Sequence, residues 1–301
     1  MLLRLGKCAA FPNFVKKFGE TPPIPLIPML IREFLGLIES EFPADTAMEG
    51  DPIGLQLQSE RKEITSVLTT LEINEETVSE AVRLGTDCIV TFHPLIYRPL
   101  RTITENDFVG RLVTRLIGAG IAVIAVHTNY DAHPRGTNAI FGRKLGLLNM
   151  APLLPDAHHA GFGMGIIGSL PVNVGSEELA EAVGNICGAP VIFVPKNGQD
   201  RIATVAAVCG SGFTFLDYAI AAGADAFITA DVKYHGYRTA AEHCTLISPG
   251  HYEMERFVPE YLAGELQRLV NDSIAIAIAE TTANPLRYIQ CNSTVADDSK
   301  T

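Results

Sequence analysis

Three short stretches of the chain carry side chains able to hold a metal ion: His93 in TFHPLIYRP (91–99), His127 and Asp131 in HTNYD, and His251 and Glu255 in GHYEME. The second and third share the spacing His-x-x-x-carboxylate. Imidazole and carboxylate together suit Zn²⁺, Fe²⁺ or Mn²⁺, and two carboxylates can bridge a metal pair. Singly, each histidine reads more simply as a structural residue, and Asp131 as a cap for the turn before His133-Pro134. Their recurrence at matching places makes a metal site the better reading.

Those places are set by a repeat. From Ile64 to Thr91 the pattern is strand, helix, strand: the run ITSVLTTLEI, Asn74 as N-cap, an apolar helical face at Val78, Ala81 and Val82, then GTDCIVT. The pattern returns 138 positions on without a gap, Ile64 matching Ile202, Val67 Val205, Ala81 Ala219, Gly85 Gly223, Asp87 Asp225 and Thr91 Thr229. This reads as a duplication. After the first copy come a helix (Phe108, Leu112, Leu116), the strand IAVIAV and HTNYD. After the second come ADVKYHG, a helix around Tyr237 to His243, the strand TLIS and GHYEME. In parallel α/β sheets the residues just past the strand carboxyl ends line the ligand crevice. The expected fold is therefore α/β, two similar βα-repeat halves packed together with the metal site at the strand carboxyl ends between them.

The remaining elements follow from local pattern. Met29 opens a helix with Leu30, Ile31, Phe34, Leu35 and Ile38 on one face, and Pro43 ends it. Ser176 is a plausible N-cap for a helix carrying Leu179, Ala182, Val183 and Ile186, and PVIFVP (190–195) follows as a strand. The organisation is an N-terminal extension (1–28), a first α/β half (29–150), a connecting αβ segment (151–201), a second half (202–291) and a polar tail (292–301). The extension carries Arg4, Lys7, Lys16 and Lys17 with no acid before Glu20, as organelle presequences do, but it lacks serine and amphipathic periodicity and reads as an extension.

The chain has 301 residues, 47% of them hydrophobic, enough for a sizeable core. A formal charge of -11 without a basic cluster argues against a nucleic-acid surface and leaves small molecules or metal ions as partners. Six scattered cysteines with no C-x-x-C pair point to a reducing, cytoplasmic compartment. No apolar run approaches the roughly 20 residues that cross a bilayer, so no membrane partner is expected. CGSGF (209–213) sits at a strand-to-helix turn and either receives phosphate or is only a tight turn, and GFGMG (161–165) reads as a tight turn.

The ordered set TFHPLIYRPL (91–100), AVHTNYDAHPRGTN (125–138), VCGSGFTFLDYAIAAGADAFITADVKYH (208–235) and SPGHYEME (248–255) resembles the NIF-three-like dinuclear-metal-centre proteins, also called GTP cyclohydrolase I type 2 homologues. The likeness runs from about Met29 to about Arg287. It implies two similar α/β halves, a toroidal homohexamer, and one or two divalent metal ions per chain held by His93, Asp131, His251 and Glu255, with Glu255 bridging. It also implies a small-molecule substrate, a nucleotide if the activity in the family's name applies, and a metal-activated water attacking its purine ring. The alternative is a non-catalytic metal-binding regulatory or metal-handling protein. Resemblance further places ADVKYH near the pocket, where Lys233 could hold an anionic group and His235 shuttle a proton, or both could sit in a solvated loop.

Two departures from the family pattern stand out. The usual His-His-Pro is Phe92-His93-Pro94, and Trp-Asp-Asn-x-Gly-Leu-Gln has become Gly50-Asp51-Pro52-Ile53-Gly54-Leu55-Gln56. Either Phe92 packs at the strand end and leaves a one-metal site, or His127 swings in as a replacement ligand.

Overall fold

The computed structural model describes residues 26–190, 192–194, 201–281 and 284–289. The N-terminal extension up to residue 25 and the polar tail lie outside these residues, as do Cys8 and Cys291.

Ten strands make two five-stranded sheets: β1 (Gly54–Leu57), β2 (Ser66–Thr70), β3 (Cys88–Thr91), β4 (Ala122–Ala125), β5 (Leu148–Ala151), β6 (Ile166–Val174), β7 (Ile202–Ala207), β8 (Ala226–Ile228), β9 (Thr245–Ile247) and β10 (Ala275–Ile278). The first sheet runs β10-β2-β3-β4-β1, parallel except for the edge strand β1. The second runs β9-β8-β7-β6-β5, with β7 to β9 parallel and the other two antiparallel. The helices are α1 (Ile31–Glu41), α2 (Glu75–Leu84), α3 (Phe108–Ala119), α4 (Thr128–Asp131), α5 (Thr137–Leu145), α6 (Ser176–Cys187), α7 (Leu216–Ala221), α8 (Tyr234–Ala241), α9 (His251–Glu255) and α10 (Val258–Val270).

Strand alternation assigns the cores. Val67, Cys88, Val90 and Ile124 of the first sheet share one large cluster with Val205, Ala207, Ile228 and Ile247 of the second, together with α1, α5, α6 and α10. Their neighbours Leu68, Ile89 and Val123 pack with α2 and α3, and Ala206, Phe227 and Leu246 pack with α7 and α8. Each parallel strand is thus buried on both faces, which is why it reads as a near-continuous apolar run. That shared core joins the two halves and fixes where their strand ends face each other.

The repeat survives at the level of hydrogen bonds. Val67 pairs with Cys88 as Val205 pairs with Ala226, the same offset in both sheets. Asp87 accepts the backbone N–H groups of Thr65 and Ser66 at 2.8 and 3.2 Å, and Asp225 accepts those of Ala203 and Thr204, both at 2.9 Å. Each aspartate ties the start of its neighbouring strand to its own. Helix α2 shows equally direct sequence control: the Asn74 side chain caps the N–H of Thr77 at 2.8 Å, and Gly85, at φ 66, ends the helix in the left-handed region.

Burial opposes the Asp87 charge, but the donors from Thr65, Ser66 and Arg61 outweigh it and hold the carboxyl below the usual range. A lowered folded pKa gives stability that is present above the unfolded value of about 4 and is lost as pH falls through the folded one. Asp87→Asn should therefore cost about 1–3 kcal/mol at pH 7, with the gap closing below about pH 4. Urea midpoints of both proteins across that range measure it.

Some elements differ from the sequence reading. Although β10 lies in the stretch assigned to the second half, it pairs with β2 in the first sheet. The antiparallel strands β5 and β6 extend the second sheet from residues read as the end of the first half and a connector. Helix α6 starts at Ser176 with Gly175 as its cap. Of PVIFVP only 192–194 are described, and there Phe193 makes a single bridge to Ser248 in place of a strand. GFGMG contributes the Gly163–Met164 ladder with Leu154–Pro155. Among the described residues no helix is long and apolar enough to cross a membrane.

Candidate metal centre

The carboxyl ends of the parallel strands in both sheets deliver the polar residues to one place. Beyond β3, the N–H groups of Phe92 and His93 donate to the carbonyls of Thr70 and Leu71, at 3.0 and 2.8 Å, continuing the strand ladder as far as His93. Thr91 adds a bond from its hydroxyl to the His93 carbonyl at 2.9 Å. Beyond β4, His127 caps α4, which carries Asp131. Beyond β8 the chain turns at Asp231, a non-glycine residue in the left-handed region at φ 54. Beyond β9, α9 presents His251 and Glu255 one turn apart on the same face.

His93 from the first half and His251 and Glu255 from the second offer one ligand atom each, all within 4.8 Å of one another. Glu255 Oε2 is 3.1 Å from His93 Nε2 and 3.0 Å from His251 Nε2. It is nonetheless a buried oxygen without an aligned hydrogen-bond donor. His251 gives its other nitrogen, Nδ1, to Asp231 at 2.6 Å, which leaves Nε2 facing Glu255. His127 does the same, its Nδ1 lying 2.8 and 3.0 Å from the two oxygens of Asp51. A carboxylate behind an imidazole fixes its tautomer and raises its basicity as a ligand.

Burial and neighbouring charges act against each other throughout the cluster. Burial opposes ionisation of Glu255, but His251 and His93 outweigh it and hold the carboxyl well below its usual range. Burial likewise opposes protonation of His251, and Glu255 with Asp231 overcomes it to raise that imidazole well above its ordinary value. Asp131 is different: burial, then the Glu255 charge, push it up to about 7, and its Oδ1 has no hydrogen-bond partner. Two buried acids oppose each other, each with an oxygen that has no aligned hydrogen-bond donor, and such a donor set suits a cation.

Gly210 explains the CGSGF turn. At φ 69 it occupies the left-handed region, and a Cβ there would come 2.4 Å from Glu255 Oε1 and 3.2 Å from His251 Nε2. Only glycine lets the backbone approach the cluster this closely. Two of the turn's N–H groups are used within the protein: Gly212 donates to Thr229 Oγ1 at 2.9 Å and Cys209 to Asn138 Oδ1 at 2.8 Å. The turn is fitted closely to the His251–Glu255 pair.

The structure brings His93, His251 and Glu255 together, with Asp131 buried beside them and outside that group of three. His127 lies with its ring 5.5 Å from His93. Phe92 is fully buried, 5.4 Å from the His127 ring and 5.0 Å from that of His93. Lys233 and His235 are exposed at the start of α8, and the His235 ring rests against Tyr234. The sequence reading missed the parts played by Asp51 and Asp231. Their signal was an acid in a Gly/Pro-bounded turn and an acid on the same edge as the glycine turn, but only the three-dimensional pairing shows which imidazole each one holds.

The family described as Duf34/NIF3 (NGG1p interacting factor 3) matches residues 29–285. The chain belongs to this family. A Lactococcus lactis protein named "GTP cyclohydrolase 1 type 2 homolog" is 34% identical over 261 residues, 85% of this chain and 98% of that one. A Streptococcus pneumoniae protein of the same name is 33% identical over 269 residues, covering 87% of this chain and 100% of its own. Among solved structures, a Bacillus cereus protein related to NIF3 covers 88% of this chain and 100% of its own with a TM-score of 0.81; at 22% identity the likeness is one of fold. The two similar α/β halves of this chain are thus a Duf34/NIF3 fold, and the polar cluster lies at the carboxyl ends of their parallel strands.

Proposed function

We propose that this chain holds a divalent cation through His93, His251 and Glu255 and is a metal-dependent hydrolase of a small-molecule substrate, with a purine nucleotide as the class carried by its relatives' names. The observation that carries the reading is Glu255 Oε2, buried between two imidazole nitrogens with no aligned donor. Zn²⁺, Fe²⁺ and Mn²⁺ all suit such an N,N,O set, and a bound ion of this kind supplies Lewis acidity and an acidified water. The chain's own residues do the rest. Asp231 and Asp51 orient His251 and His127, and Asp131 offers an unpaired carboxylate oxygen as a further ligand. Assembly as a homohexamer and a cytoplasmic location belong to the same proposal by resemblance.

Metal handling without turnover is the second reading, favoured by Phe92, which fills with hydrocarbon the position where the family pattern has an imidazole. One pair of measurements separates the two: metal per chain by elemental analysis, and loss of GTP with and without added Mn²⁺, Fe²⁺ or Zn²⁺. Metal-dependent product supports the hydrolase. Bound metal with no product across a nucleotide panel rejects it in favour of metal handling.

A further inference from the structure

We propose that Tyr97 is the stacking wall for a planar heteroaromatic ligand at this centre, an inference that rests on the metal-site reading and names the class of ligand the site takes. Tyr97 is a large aromatic residue left 62% exposed on the segment that follows His93. Its ring meets that of His127 edge to face, with centroids 6.3 Å apart and planes at 86°. His127 in turn is 5.5 Å from His93. The Tyr97 ring thus meets the rim of the polar cluster, while most of the residue is open to solvent.

The segment holding Tyr97 is anchored. Gln56 Nε2 donates to the Ile96 carbonyl at 3.1 Å, and the Ile96 N–H donates back to Gln56 Oε1 at 3.0 Å. The same Nε2 donates to the Pro52 carbonyl at 2.8 Å, on the turn whose Asp51 holds His127. Pro94 and Pro99 restrict the backbone on either side. The stretch 51–56, a turn leading into β1, therefore fixes both His127 and the residue just before Tyr97. An aromatic ring held in place and left wet beside a ligand-binding cluster is suited to stacking, because every planar heterocycle offers a π-face. Arg98 and Arg101, both exposed on the same segment of an acidic chain, suit a heterocycle with phosphate or carboxylate substituents.

The test compares wild type, Tyr97→Phe and Tyr97→Leu, with GTP as the aromatic probe and tripolyphosphate as the ring-free control. Equilibrium dialysis is run with and without metal, and metal content is measured in each protein. Tyr97→Leu should bind GTP on the order of tenfold more weakly, while Tyr97→Phe stays within about twofold of wild type. Tripolyphosphate binding and metal content should match in all three. The proposal is overturned if Tyr97→Leu binds GTP as wild type does, if it loses tripolyphosphate equally, or if wild type prefers GTP over tripolyphosphate in neither state. Failure of the metal-centre reading shows separately, as absence of metal from wild type.

Discussion

Glu255→Gln should lose its metal: affinity falls by more than about 100-fold, beyond the ~10–100-fold that disturbing an outer partner of a ligand costs. The substitution preserves volume, so the packing of Glu255 in α9 and the close approach of Gly210 are kept. What it removes is the one carboxylate placed between His93 Nε2 and His251 Nε2. An amide oxygen is a weak ligand for a divalent ion, and the amide nitrogen turned inward would present hydrogens where lone pairs must converge. In the metal-free state the change is mild, because the amide keeps the carboxylate's volume and takes a buried charge away; we expect less than about 2 kcal/mol in stability. Elemental analysis after dialysis against chelator and reloading, alongside thermal melts of the metal-free proteins, reads both effects. Full metal content in Glu255→Gln would mean that the ion sits elsewhere.

The two His-x-x-x-acid motifs and the strand before His93 were legible because polar residues at strand ends leave a linear trace: apolar runs that stop at a histidine, repeated with a fixed offset. The duplication itself is visible down to Asp87 and Asp225, since each has the same backbone partners to satisfy. Strand β10 was not placed by its sequence, because an apolar run of four residues says it is buried and not which sheet buries it. Asp51 and Asp231 escaped for a related reason. Each acts on the Nδ1 of one histidine, Asp51 76 residues away in sequence and Asp231 20. A pairing over such spans has no periodicity to announce it. Gly210 was seen as part of a glycine-rich turn, yet its role is set by what stands opposite, the Glu255 carboxylate, and a turn motif does not encode its opposite wall.

Phe92→His should raise metal content from about one to about two ions per chain, since a second ion needs an added ligand and two-metal sites hold their ions about 3.5–4 Å apart. Phe92 has no exposed surface, and its ring borders His93 at 5.0 Å and His127 at 5.4 Å, so an imidazole at this position adds a nitrogen donor among residues already turned toward the cluster. The anionic side of a second site is in place: Glu255 between the halves, Asp131 with an unpaired Oδ1, and Asp51 behind His127. Without metal the variant should be less stable by about 1–3 kcal/mol, because a smaller ring with a polar edge replaces hydrocarbon against Tyr130. Adding metal should restore that loss, as binding to the folded state alone stabilises by mass action. Unchanged metal content with the stability loss alone would mean that position 92 serves packing only. Two ions already present in wild type would assign the replacement to His127, whose tautomer Asp51 fixes for ligation, and would make the phenylalanine a wall of an intact two-metal centre.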